Sequence, residues 1–89
     1  MASDKRFPPG QAVKIICLSS KVEASGTLVE HTGNRLIFRS EQQFSRDAAI
    51  KVSWPGWSLL CDVANCRAED GNYFVGAFLQ HSIRALRAW

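Results

Sequence analysis

The stretch GTLVEHTGNRLIF, residues 26–38, decides how this chain is expected to fold. Two apolar runs, 27–29 and 36–38, flank a polar segment that contains a glycine. Short apolar runs on either side of such a turn are typical of a β-hairpin. Glu30, Thr32 and Arg35 surround this turn, so the same stretch is also a candidate for part of a ligand-binding loop.

Strand patterns continue on both sides of the hairpin. Residues 12–18 are rich in β-branched side chains, and residues 48–54 alternate between apolar and polar ones. Pro-Gly at 55–56 and Asp-Gly at 70–71 mark turns. Gly76 lies inside the last run and predicts a bulge or a close backbone approach. The predicted strands are 12–18, 26–31, 34–39, 48–54, 57–66 and 73–79.

The two ends of the chain differ from the strand pattern. Residues 1–11 are polar and carry prolines, which predicts an extended N-terminal arm that ends at a turn. In the tail, Ile83, Leu86 and Trp89 recur at every third position, which predicts a short helix over residues 81–89. Six strands and one helix in so small a chain favour an all-β fold. We predict a six-stranded antiparallel β-barrel with a short C-terminal helix.

Length and composition are consistent with one small domain over residues 1–89. The 89 residues are 46% hydrophobic and 21% charged, as in folded soluble domains. No apolar run reaches the roughly 18 residues of a membrane span, and the N-terminus lacks the apolar centre of a signal peptide. We therefore expect a cytoplasmic protein that makes no membrane contact. The three cysteines and two histidines lack the paired spacings of a zinc site, which favours buried, reduced thiols.

The sequence does not contain the residue constellation of an enzyme. His31 and His81 are far apart, and no serine or cysteine lies in a recognisable nucleophile motif. The glycines are scattered and form no phosphate-binding loop. We therefore expect a protein that is not an enzyme and that needs no cofactor.

Single-stranded nucleic acid is an alternative partner. Arg35 and Arg39 are four residues apart on one predicted strand and share a face, and Trp54 and Trp57 flank a turn. Small barrels bind single strands with basic grooves and stacked aromatic side chains. The net charge of +3 allows an anionic partner, but the basic residues are dispersed, which makes nucleic acid the less favoured reading.

The order of these features resembles that of a PilZ domain, a bacterial module built as a six-stranded β-barrel with a C-terminal helix. A basic arm precedes the first strand, a hairpin with a threonine-centred turn follows, and a later strand ends in Trp54 before a long hairpin. The stretch GNYFVGAFL, residues 71–79, is similar to the family's final strand. The resemblance covers nearly the whole chain and implies a role in cyclic di-GMP signalling.

Many PilZ domains bind cyclic di-GMP, and two motifs carry that binding. One is Arg-x-x-x-Arg in the arm, and the other is Asp/Asn-x-Ser-x-x-Gly between the second and third strands. The resemblance places Arg6 in the arm motif, and it places Glu30, Thr32 and Arg35 at the Asp/Asn, Ser and Gly positions. Arg6 has no second arginine four residues away in either direction. These four residues are the candidate ligand site, in a degenerate form.

Three hypotheses follow. The first is a PilZ-type regulatory adaptor with weak or no nucleotide binding, which acts through contacts with another protein or with a domain of a larger signalling protein. The second is a working cyclic di-GMP receptor that uses Arg6, Glu30, Thr32, Arg35 and Arg39 as a non-standard set. The third is a small barrel that binds single-stranded nucleic acid. The degraded motif favours the first.

Overall fold

The computed structural model describes residues 9–84, with side chains for residues 9–82, and every regular element in this part of the chain is a strand. The all-β prediction is confirmed, and each predicted strand corresponds to an observed one. The strands are β1 (Ala12–Cys17), β2 (Glu23–Thr32), β3 (Arg35–Ser40), β4 (Ala49–Trp54), β5 (Trp57–Glu69) and β6 (Asn72–Arg84).

The six strands form a closed antiparallel barrel in the order β1-β2-β3-β6-β5-β4. The ring closes where β1 pairs with β4, with Lys14 opposite Ser53 and Ile15 opposite Val52. Closure gives each of these strands a neighbour on both sides, which removes the exposed edges that an open sheet would have. The predicted six-stranded barrel is therefore confirmed.

The barrel interior follows from the alternation along each strand. In β1 and β3, every second side chain is buried, and the side chains between them face outward. Phe44, in the connection 41–48, is 4% exposed and joins the core as an anchor for an otherwise polar loop. The buried core comprises Val13, Ile15, Cys17, Ala24, Leu28, Leu36, Phe38, Phe44, Ile50, Val52, Leu59, Cys61, Val63, Val75 and Ala77.

Two-residue turns join the strands of three hairpins. In the β2–β3 turn, Gly33 has a φ of +60° at the first central position, as type II′ turns require. In the β5–β6 turn, Asp70 (φ 52°) and Gly71 (φ 81°) are both left-handed, as type I′ turns require. Both conformations match the right-handed twist of the flanking strands. The turns predicted at these points and at 55–56 are confirmed.

The predicted C-terminal helix is wrong for residues 81–84, which continue β6 as a strand. Here Ser82 lies opposite Leu59, and Arg84 lies opposite Trp57. The physical reason is the length of β5, whose first residues would otherwise lack a partner on one side. Backbone pairing over a whole strand outweighs a three-residue apolar period in a short tail. Residues 85–89 of the predicted helix lie outside the described residues.

Candidate functional site

The β2–β3 hairpin brings three of the four candidate residues together. The β2–β3 pairing shifts by one residue between Leu28 and Glu30. After this shift, Glu30 lies opposite Ile37, and Thr32 lies opposite Arg35. Directly opposed residues share one face of a sheet, and here that face is the outside of the barrel. Glu30, Thr32, Arg35 and Ile37 line a cavity of about 240 Å³, which we call the hairpin cavity.

Polar groups in the hairpin cavity already interact with groups of the chain itself. The Thr32 hydroxyl donates to a Glu30 carboxylate oxygen at 3.3 Å. The Arg35 guanidinium lies over the Phe78 ring of β6, 5.7 Å from its centroid, within the range of a cation–π contact. Any ligand entering the cavity would have to compete with these two contacts.

The turn beside the cavity differs from the PilZ pattern in where its flexible residue lies. Gly33 adopts the positive φ, and its carbonyl oxygen accepts a hydrogen bond from His31 Nε2 at 2.7 Å. Arg35, at the position of the family's glycine, begins β3 and is not among the described residues with positive φ. The left-handed conformation in this turn is therefore supplied by a residue two positions earlier.

Arg6, the fourth candidate, lies outside the described residues. The described chain begins with a turn at residues 9 and 10. The Gly10 amide donates to the Leu28 carbonyl at 2.7 Å, and the Leu28 amide donates to the Gln11 carbonyl at 2.8 Å. The arm therefore meets the barrel beside Leu28, two residues before Glu30.

A larger concavity, of about 600 Å³, lies elsewhere on the barrel, and we call it the lysine–tryptophan groove. Lys14 of β1 and Lys51 of β4 line it together with Trp54 and Trp57, which flank the β4–β5 turn. The remaining lining residues are Ala12, Val13, Ser25, Gly26, Ser53, Pro55 and Ser58. Sequence reasoning missed both lysines, because only the β1–β4 pairing brings them to one face. The alternation of each lysine with apolar neighbours in its strand did indicate that both side chains lie on the outside of the barrel.

The features that suggested nucleic-acid binding are separated by the fold. Arg35 and Arg39 lie on β3, whereas Trp54 and Trp57 lie at the β4–β5 turn. In the closed ring, β3 and β4 are on opposite sides, with β6 and β5 between them. The barrel therefore does not combine these arginines and tryptophans into one stacking groove.

The three cysteines are free, and two of them have altered acidity. Burial raises the pKa of the Cys61 thiol from 9.0 to about 12. Hydrogen bonding by Ser20 and, to a smaller extent, by Ser19 lowers the pKa of the Cys17 thiol to about 7. Both side chains belong to the buried core, but Cys17, at the end of β1, is the more acidic of the two thiols.

Two further features bear on function. Among residues 9–84, no three histidine, cysteine, aspartate or glutamate side chains are grouped so as to hold a metal ion. The described chain also has no helix long and apolar enough to cross a membrane. In comparisons with models of protein families, curated protein sequences and solved structures, no match to this chain was found.

Proposed function

We propose that this protein is a cytoplasmic, non-enzymatic regulatory adaptor of the PilZ type, which binds cyclic di-GMP weakly or not at all and acts through protein contacts. The observation that carries the proposal is the hairpin cavity. It lies where the resemblance puts half of a nucleotide site, and it is lined by Glu30, Thr32 and Arg35 in place of the motif residues.

The size of the cavity supports weak nucleotide binding. Sites for small organic ligands enclose roughly 300–1,000 Å³. The hairpin cavity encloses about 240 Å³, and a cyclic dinucleotide carries two guanine bases and two phosphates. Such a ligand would have to lie largely outside the cavity and depend on contacts from the arm.

The chemistry of the lining residues supports the same conclusion. Guanine is read best by the planar fork of arginine, and one such bidentate contact is worth about 1–3 kcal/mol. Arg35 is already stacked on Phe78, and the Glu30 carboxylate already accepts from Thr32. Arg6 has no arginine partner at the motif spacing. The loss of one such contact lowers affinity by at least several-fold.

Exposed apolar surface around the cavity supports a role in protein contacts. Val29 and Phe78 are 38% and 39% exposed, and Ile37 between their strands is partly exposed. Arg35 and Arg39 flank this surface on β3. Aromatic side chains and arginines are enriched in the cores of protein interfaces. The outer face of β2, β3 and β6 is therefore the proposed contact surface.

Titration calorimetry with cyclic di-GMP tests the proposal directly. We expect no saturable heat at micromolar ligand. Micromolar binding that disappears in both Arg6→Ala and Arg35→Ala would overturn the adaptor proposal and establish the receptor alternative. Lys21→Gln is the matched control, because it removes one exposed positive charge away from the hairpin cavity.

Restoring the motif tests the PilZ assignment separately. The variant Ala2→Arg/Glu30→Asp/Thr32→Ser/Arg35→Gly would carry both family motifs. We expect it to gain measurable cyclic di-GMP binding, while Arg35→Gly alone does not. A restored variant that stays folded by circular dichroism and still gives no heat would contradict the PilZ assignment.

A further inference from the structure

We propose that the lysine–tryptophan groove binds a mononucleotide-type ligand, that is, a phosphate monoester attached to a planar ring system. The phosphate would lie between Lys14 and Lys51, and the ring would lie against Trp54 and Trp57. This site is separate from the hairpin cavity, and the inference goes beyond the proposed adaptor function.

The register of the closing strands brings the two lysines together. Lys14 lies directly opposite Ser53, and Lys51 is two residues before Ser53 on the same face of β4. Lys14 and Lys51 are therefore diagonal neighbours across an antiparallel pair, and such positions lie roughly 7–8 Å apart. Lysine side chains are long enough for both ammonium groups to reach one phosphate between them.

A row of hydroxyl groups continues on both sides of Lys14. Ser25 of β2 lies opposite Lys14 on one side, and Ser53 lies opposite it on the other. Ser58 of β5 lies opposite Ser53, so the row crosses four strands. All three serines line the groove, where their hydroxyls can donate to phosphate or sugar oxygens.

The charge in the groove favours an anion. The described residues that line it include two lysines and no acidic residue. Outside the lining, Glu23 pairs with Lys14, its carboxylate 3.7 Å from Lys14 Nζ. Both side chains of this pair are more than half exposed, and exposed ion pairs are weak. A phosphate dianion can therefore displace Glu23 from Lys14.

The tryptophans give the groove a place for a ring. Trp54 and Trp57 are direct partners at the end of the β4–β5 hairpin, and both are partly buried against the core, which fixes their position. Aromatic side chains bind bases through their faces with little dependence on base identity. The volume of about 600 Å³ lies within the range of small-ligand sites.

The distribution of charge favours a single nucleotide over a nucleic-acid strand. A strand requires a basic path that follows its backbone. The arginines whose side chains are described lie on β3, in the connection 41–48 and at the far end of β5, and none of them lines the groove. Among the side chains of residues 9–82, the basic ones that line the groove are these two lysines, which suffice for one phosphate and form no such path.

The test uses the 89-residue chain with Trp89→Phe, so that tryptophan emission comes only from Trp54 and Trp57. The probe is adenosine 5′-monophosphate, measured by fluorescence quenching and by calorimetry. We expect it to bind more tightly than adenosine, which lacks the phosphate, and than ribose 5-phosphate, which lacks the ring. The absence of quenching and heat at millimolar probe would overturn the proposal.

Variants distinguish the groove from other sites. Lys14→Gln and Lys51→Gln should each weaken binding by about tenfold, because each removes a charge-assisted contact. Glu23→Gln should strengthen it by up to about fivefold. Lys21→Gln and Arg35→Ala should have no effect, since both residues lie outside the groove. Unchanged affinity in both groove variants would overturn the proposal, as would tighter, steeply salt-dependent binding of an eight-residue oligothymidylate.

Discussion

Gly26 in β2 should be the least replaceable glycine of the barrel. A Cβ atom built there would lie 2.5 Å from the Arg39 carbonyl oxygen and 3.0 Å from Ile15 Cδ1. The carbonyl belongs to β3, which pairs with β2 at this point, with Thr27 opposite Arg39. Relief of the contact requires movement of one strand backbone against the other, and this movement disturbs the pairing that holds the hairpin in the ring.

Gly76 in β6 is the matched control, because its close contact is with a side chain. A Cβ atom there would lie 2.9 Å from Asn65 Oδ1, and Asn65 is exposed on β5. Rotation of an exposed side chain costs only about 0.5–1.5 kcal/mol even where the new rotamer is imperfect. Gly76→Ala therefore has a means of relief that Gly26→Ala lacks.

The expected magnitudes follow from these contacts. Forcing an extra carbon into a packed site costs about 1–3 kcal/mol. Where the native backbone conformation suits alanine, replacement of glycine by alanine stabilises a protein by about 0.4–1 kcal/mol, because it lowers the conformational entropy of the unfolded chain. We expect Gly26→Ala to lower the free energy of unfolding by about 1–3 kcal/mol and Gly76→Ala to change it by less than about 1 kcal/mol. For a chain of this size, 1 kcal/mol corresponds to a shift in Tm of about 4–8 °C.

Urea unfolding followed by tryptophan fluorescence gives both free energies, with circular dichroism to confirm the strand content. Any loss of stability that Gly76→Ala causes in the wild type should be absent when the same substitution is made in the Asn65→Ala variant. Wild-type stability in Gly26→Ala would refute the argument from the carbonyl contact. A Gly76→Ala variant that is less stable than Gly26→Ala would do the same.

The remaining predictions concern the core and the thiols. Phe38 is fully buried and Phe78 is 39% exposed, so Phe38→Ala should cost about 3–5 kcal/mol and Phe78→Ala less than about 1 kcal/mol in urea unfolding. Equal costs would contradict the inside–outside assignment. Because hydrogen bonding by Ser20 lowers the pKa of Cys17 to about 7 and burial raises that of Cys61 to about 12, iodoacetamide at pH 8 should modify Cys17 before Cys61, as read by mass spectrometry. Unfolded Cys61 ionises near 9.0, below its folded pKa, so wild-type stability should fall above pH 9 more steeply than that of Cys61→Ala. Identical slopes, or equal labelling of the two thiols, would show that burial does not hold Cys61 protonated.

Local patterns allowed most of the fold to be predicted. The hairpin at residues 26–38 could be predicted because its turn residues and apolar runs are neighbours in sequence. Gly76 was expected to mark a bulge or a close backbone approach, and the structure shows a register shift in β5 before Asn65, which lies opposite it, while the close neighbour of Gly76 is the Asn65 side chain. The tail could not be predicted, because residues 81–84 take their conformation from β5.

The two candidate sites also differ in how far the sequence alone predicts them. Glu30, Thr32 and Arg35 lie within one hairpin, so their clustering follows from local structure. The lysine–tryptophan groove depends on the pairing of Lys14 with Ser53, which are far apart in the sequence. Neither residue has a distinctive neighbourhood in its own strand. Only the closure of the ring gives them a common face.

Closure of the barrel also determines how the chain can reach its folded state. The β2–β3, β4–β5 and β5–β6 hairpins join sequence neighbours and can form early, on a timescale of about 1–10 μs for an isolated hairpin. The β1–β4 and β3–β6 pairings join distant segments and must wait for the costly closure of long loops. Until both form, the strands expose unpaired backbone amides and carbonyls that can pair with another copy of the chain. The barrel is therefore protected from intermolecular association only after its slowest contacts are made. The yield of refolding should fall as the protein concentration rises, whereas the free energy of unfolding of the folded barrel should depend on concentration much less.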